Sequence, residues 1–123
     1  MKVSAPSRHS FFPAPGEVFP SGCPSRTVLD HVSSKWGVLI LVALSEGPQR
    51  WSELRRRAQG ISEKMLAQTL KTLERDGFVH RDAQPVIPPR VDYSLTERGV
   101  ELTALLLPLV DWIAEHANEI VEA

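Results

Sequence analysis

Apolar residues recur along this chain mostly at helical spacing, broken at points where Gly, Pro, Ser or Thr interrupts the pattern. Pro24 suits a first helical position, because its missing N–H needs no partner there. Val28, Leu29 and Val32 then form an apolar stripe. After a break near Ser33–Ser34, Trp36, Leu39, Ile40, Ala43 and Leu44 fall at i, i+3, i+4, i+7 and i+8, which predicts a second helix with a buried stripe. Gly47–Pro48 should stop it.

Ser52 is expected to cap a short helix running to about Ala58, with Glu53 early enough to complement the helix dipole. Leu54 and Ala58 would face inward, and Arg55, Arg56 and Arg57 outward. Gly60 makes a turn. Ser62 caps the next helix, which runs to Glu74 or Arg75 and ends at Gly77. Two helices joined by a tight Gly-containing turn form a helix-turn-helix candidate. Val79–Asp82 and Val91–Leu95 are expected strands, with Val91, Tyr93 and Leu95 on one face. Pro85, Pro88 and Pro89 force a loop between them, because proline cannot donate to a ladder. A hairpin placed directly after a helix-turn-helix is a wing. Thr96 should cap a final helix carrying Leu102, Leu105, Leu106, Leu109, Trp112, Ile113 and Ile120. Pro108 is expected to kink that helix or divide it in two. The predicted fold class is therefore mainly α with a small β-hairpin (α+β), a winged helix-turn-helix.

The 123 residues fit one domain. Residues 1–22 hold Pro6, Pro13, Pro15, Pro20, Gly16 and Gly22, which rule out a helix or central strand. They predict an extended arm, anchored by Phe11, Phe12 and Phe19, ahead of a winged-helix domain at 23–123. With 42% hydrophobic and 24% charged residues, the chain has the profile of a soluble globular protein. No apolar run approaches the ~18 residues of a membrane span, and the first residues lack the apolar core of a signal peptide. A cytoplasmic location is the expectation. Cys23 is the sole cysteine, so neither an intrachain disulfide nor a cysteine-based zinc cluster can form. His9, His31, His80 and His116 show no metal-ligand spacing, and there is no Gly-rich phosphate loop. Neither an enzyme nor a bound cofactor is expected.

The net charge of −1 hides a segregated distribution. Residues 1–49 sum to +1, residues 50–98 to +3, and residues 99–123 to −5. On a helix from Ser62 to Asp76, Leu66, Leu70 and Leu73 lie within about 60° of one another and define the buried side. Lys64, Gln68, Lys71 and Arg75 lie opposite. Lys suits the acceptors that guanine shows in the major groove, and Gln suits the acceptor–donor pair of adenine. Lys64 and Gln68 are thus assigned to bases, and Ser62 and Lys71 to phosphates or base edges. Thr72 lies on the flank, and Met65 and Thr69 complete the DNA-binding set. Arg50, Arg55 and Arg56 are candidate backbone clamps, which fix register without reading sequence. Arg90, held by Pro88–Pro89, either reaches a minor groove or phosphate or pairs with Asp92. The competing reading of the helix is a solvated surface face.

The ordered set of motifs resembles the HxlR-type branch of the MarR-like winged-helix regulators. Its carriers are Cys23–Pro24, Lys35–Trp36, Gly47–Pro48, and Trp51-Ser52-Glu53-Leu54-Arg55-Arg56. They continue with Gly60-Ile61-Ser62, Met65-Leu66, Leu70, Leu73-Glu74, and Asp76-Gly77-Phe78-Val79-His80-Arg81. The wing reads V-I-P-P-R from Val86 to Arg90 and is followed by Val91-Asp92-Tyr93-Ser94-Leu95-Thr96 and Gly99. The resemblance implies a homodimeric, sequence-specific regulator of transcription that binds a double-stranded DNA operator, an inverted repeat. It implies a recognition helix at Ser62–Arg75 and a dimer interface from the first and last helices, where Val28, Leu29, Leu105, Leu109 and Trp112 are the candidates. It also allows Cys23 to sense oxidants or electrophiles. A helix N-terminus and Arg26 three residues on favour a thiolate there. The alternative is a small, partly buried residue with no switching role. Trp51 stands where the family often has Phe, and the Pro-rich arm is unusual for it. A pocket for a small-molecule effector between the two long helices is compatible with this pattern, but no residue points to a particular ligand. The alternative function is a winged-helix protein–protein interaction module without DNA binding.

Overall fold

The computed structural model describes residues 18–122, which form two compact units, one ending at Ser33 and the other beginning at Ser34. Phe11, Phe12 and most of the Pro-rich arm lie outside the described residues. In the first unit, Phe19 and Gly22 take positive φ (50° and 84°), and helix α1 covers Pro24–Ser33. Pro24 opens that helix, as its fixed φ predicts. Val32 is buried, whereas Val28 and Leu29 are 41% and 45% exposed.

The second unit opens with α2 at Lys35–Leu44. Ser34 caps it, its hydroxyl accepting from the Gly37 N–H at 3.0 Å. The buried surface of α2 is broader than a single stripe. Gly37 and Leu41 join Ile40, Ala43 and Leu44 inside, Trp36 is half-buried, and Leu39 stays 41% exposed. The cause is tertiary. This helix meets α3 (Trp51–Arg57), α4 (Glu63–Arg75), α5 (Glu97–Glu122) and strand β3 (Arg90–Leu95), which cover it from several sides.

A two-residue strand β1, Gln49–Arg50, precedes α3 and pairs antiparallel with β3, Gln49 with Tyr93 and Arg50 with Asp92. The hairpin is thus the larger part of a three-stranded sheet of order β1-β3-β2, in which β2 covers Val79–Gln84. Strand pairing also moves the start of α3. Arg50, held extended in the sheet, is the N-cap, and Ser52 lies inside the helix rather than capping it. Glu53 supplies the cap interaction by accepting from the Arg50 N–H at 2.8 Å. Buried Gln49 turns its amide onto the carbonyl of Ala43 and so satisfies the end of α2.

Helix α4 buries Leu66, Leu70 and Leu73 at 0%, 2% and 0% exposure. At its end Gly77 adopts φ 83°, Phe78 N–H donates to Leu73 O at 2.9 Å, and Gly77 N–H to Glu74 O at 3.0 Å. This pair of bonds is a Schellman motif, which closes the helix and turns the chain into β2. Thr96 caps α5 as expected, accepting from Gly99 N–H at 3.0 Å, and its hydroxyl donates to Gly77 O at 2.5 Å.

Pro108 does not divide α5, which runs unbroken from Glu97 to Glu122. A proline removes one helical N–H, and the turns on both sides are numerous enough to carry the helix through it. The apolar side of α5 is covered only in part. Leu102 and Leu106 are half-buried, but Ile113 is 49% exposed. Among the described residues no single helix is long and apolar enough to cross a membrane.

Gly99 packs against backbone. A Cβ built there would lie 2.1 Å from the carbonyl oxygen of Phe78, far inside contact distance. Alanine normally stabilises a helix interior relative to glycine by about 1 kcal/mol. Gly99→Ala should instead destabilise the fold by about 1–3 kcal/mol, the cost of overpacking, measured by urea unfolding.

Candidate nucleic-acid interface

The outer face of α4 is built by the same residues that bury its inner face. With Leu66, Leu70 and Leu73 inside, the helical period leaves Lys64, Met65, Gln68 and Lys71 exposed and Thr69 half-buried. Ser62 stands at the N-terminus, its hydroxyl accepting from Met65 N–H at 3.0 Å. That bond occupies one acceptor site on the oxygen and leaves the hydroxyl proton to donate elsewhere. Lys64, Gln68 and Lys71 therefore share one solvent-facing surface, with Ser62 exposed at its N-terminal end.

The cations around this surface fall into two groups. Arg55 Nη1 meets Glu63 Oε2 at 2.8 Å, an exposed pair that ties α3 to the first turn of α4. Arg57 Nη2 meets Glu46 Oε1 at 2.9 Å. Arg90 Nε meets Asp92 Oδ1 at 3.1 Å, so of the two roles open to it the structure supplies the ion pair. Arg50 and Arg56 are exposed and have no acidic partner among the described residues. Of the candidate clamps, these two carry charge that no carboxylate among the described residues neutralises.

One cation was missed by sequence reasoning. Arg81 on β2 shares a cavity of about 350 Å³ with Lys71, Glu74, Trp51 and Tyr93, beside the recognition-type helix. The signal for it is the hairpin register, Arg81 opposite buried Tyr93, which only the paired structure reveals. A second, open cleft of about 400 Å³ separates Arg50–Trp51–Ser52 from the wing residues Val86–Val91.

The remaining candidates are on other elements. Leu105, Leu109 and Trp112 on α5 are 72%, 54% and 53% exposed. The Trp112 ring stacks on His116 with centroids 4.1 Å apart. Cys23 carries a free, partly exposed thiol just before α1. Arg26, expected to favour its thiolate, donates through Nη1 to the Phe19 carbonyl at 3.0 Å.

Residues 31–121 match the sequence family described as HxlR-like helix-turn-helix. Over 106 residues the chain is 55% identical to the uncharacterized HTH-type transcriptional regulator YtfH of Escherichia coli, covering 86% of this chain and 84% of that protein. The solved structure of YtfH from Salmonella typhimurium superimposes with a TM-score of 0.81 at 51% identity, covering 87% of this chain and 96% of the other. The redox regulator HypR in its oxidized form superimposes with a TM-score of 0.70 at 36% identity, covering 76% and 96%.

The capping bond at Ser62 makes a measurable claim about stability apart from any ligand. Ser62→Ala should cost about 1 kcal/mol in chemical denaturation. Removal of the exposed Arg55–Glu63 pair by Glu63→Ala should cost under about 1 kcal/mol.

Proposed function

The chain belongs to the HxlR-like helix-turn-helix family of transcriptional regulators, and we propose that it acts as a homodimer that reads an inverted-repeat operator in double-stranded DNA. The observation that carries this reading is the exposed Lys64–Gln68–Lys71 face of α4, a helix capped at both ends and backed by three buried leucines. A rigid helix with donors on one face and no acidic residue at its centre fits a major groove. Lys64 and Gln68 read base edges. Met65 and Thr69 flank them, and Ser62, Lys71, Arg50 and Arg56 hold the backbone. Arg81 adds a cation beside Lys71, whereas Arg55 and Arg90 act first as structural ion pairs. The winged-helix domain spans 23–123. Its dimer contacts come from Val28 and Leu29 on α1 and from Leu105, Leu109 and Trp112 on α5, all of them exposed apolar residues. Two copies related by a two-fold axis bind two equivalent half-sites.

A second reading concerns control, and the likeness to a protein described as a redox regulator favours it. Cys23 is the sole thiol, so its oxidation joins two protomers or one protomer and a small thiol. Two Cys23 thiols forming a disulfide release two protons and pass two electrons to an added oxidant such as diamide. Alkylation by a quinone-type electrophile forms a C–S bond as a carbon–carbon π bond breaks, and the thiol proton passes to the adduct.

The test is an unbiased selection of duplex fragments by the purified chain, with and without diamide and with Cys23→Ser as control. Recovery of an inverted repeat supports the reading. Recovery of no sequence, with stable capture of another protein, supports the interaction-module reading instead. Lys64→Ala and Gln68→Ala should each reduce discrimination at one base position by about 1–3 kcal/mol. Arg56→Ala should weaken all sequences alike and lower the salt slope by about 1.

A further inference from the structure

The tip of the wing is uncharged and apolar. Ile87 is fully exposed at 100%, Val86 is 47% exposed, and Pro88 and Pro89 beside them are exposed as well. Scattered apolar residues on a surface need no explanation, but a continuous apolar run at the tip of a projecting hairpin calls for one. A fully exposed Ile87 makes no contribution to the core, so this part of the wing gains nothing for the fold from being apolar.

The stem beneath the tip is tied together. Gln84 and Arg90 face each other where the strands leave the sheet. Asp92 accepts from both, from Gln84 Nε2 at 2.8 Å and from Arg90 Nε at 3.1 Å. The carboxylate locks the two strands and neutralises Arg90 at the base of the loop. Residues 85–89 hold no charge of their own. Electrostatic contact with phosphate is thus not what this tip offers.

Across the open cleft from Val86 and Ile87 stands Arg50, a cation without an acidic partner among the described residues. A backbone phosphate held by Arg50 would bring the adjoining sugar and base edges against the apolar wall. We propose that the wing tip enters the minor groove and inserts Ile87, supported by Val86, as an apolar wedge at a base step, bending the duplex. Wedges of this kind partly unstack the step they enter. Unstacking is easiest at flexible pyrimidine–purine steps, so the tip selects sequence without a hydrogen bond to any base. This inference rests on the DNA-binding reading above.

The experiment uses the full chain and a dye-labelled duplex carrying the inverted repeat that the wild-type protein selects. Bending is read by energy transfer between the duplex ends, and unstacking by 2-aminopurine fluorescence at the pyrimidine–purine step under the wing. The wild-type complex should show a bent duplex and raised 2-aminopurine emission. Ile87→Ser and the double variant Val86→Ser/Ile87→Ser should melt like the wild type. Their affinity should fall roughly tenfold for loss of apolar contact, with an unchanged salt slope because no counterion is involved. Their complexes should return toward the straight-duplex signal. A straight wild-type complex with quenched 2-aminopurine overturns the wedge, and that readout needs no variant. Serine variants that bind and bend the duplex as the wild type does also overturn it. A wild-type chain that selects no sequence removes the DNA-binding reading itself, a result distinct from binding without bending.

Discussion

The architecture depends on one junction, where four segments meet within a few residues. Gly77 closes α4 in the left-handed region, and a Cβ there would lie 2.8 Å from Arg98 Nη1. Phe78 O accepts from Thr96 N–H at 3.0 Å, and Arg98 Nη1 donates to Asp76 O at 2.9 Å. Thr96 binds Gly77 with its hydroxyl and caps α5 with the same oxygen. Gly99 lets the first turn of α5 lie directly on the Phe78 carbonyl. The end of the recognition-type helix, both ends of the wing and the start of the long helix are thereby held in one hydrogen-bonded cluster. With so little free space, a rotation of α5 is transmitted to α4 rather than absorbed between them. In a dimer joined through α5, this junction would fix the direction in which each α4 points.

The features legible in the sequence are those set by local chemistry. Ser62, Thr96 and Gly77 act at helix ends through bonds to residues only a few positions away, and Pro24 through its own fixed φ, so their roles follow from local sequence. Leu66, Leu70 and Leu73 bury one side of an otherwise polar helix, and the period alone reveals it. The misread features are those decided by distant partners. Gln49–Arg50 has no strand signature, yet β3 recruits it, and that pairing moves the cap of α3 from Ser52 to Arg50. Leu41 is buried and Leu39 exposed because several elements surround α2, which a single-stripe rule does not anticipate. In the candidate site the helix face was readable, but the partition of arginines was not. Arg55 and Glu63 are eight positions apart, and their ion pair exists only because the turn folds α4 back beside α3.

That partition bears directly on how binding energy is distributed. Three arginines near the candidate interface, Arg55, Arg57 and Arg90, already face carboxylates, which leaves Arg50, Arg56, Lys64, Lys71, Arg75 and Arg81 as the main cationic supply among the described residues. For the proposed DNA reader, few unneutralised cations would mean few displaced counterions, hence weak attraction to arbitrary DNA and a shallow salt dependence. The acidic segment 99–123, with five acidic and no basic residues, opposes any approach of DNA to that part of α5. If the chain reads DNA as proposed, this charge distribution requires that affinity come from fit: donors placed on base edges, and apolar contact in place of phosphate contact at the wing. On that reading the neutralised stem and uncharged tip of the wing follow the same logic as the paired Arg55, since both would exchange attraction to any duplex for rigidity toward a particular one.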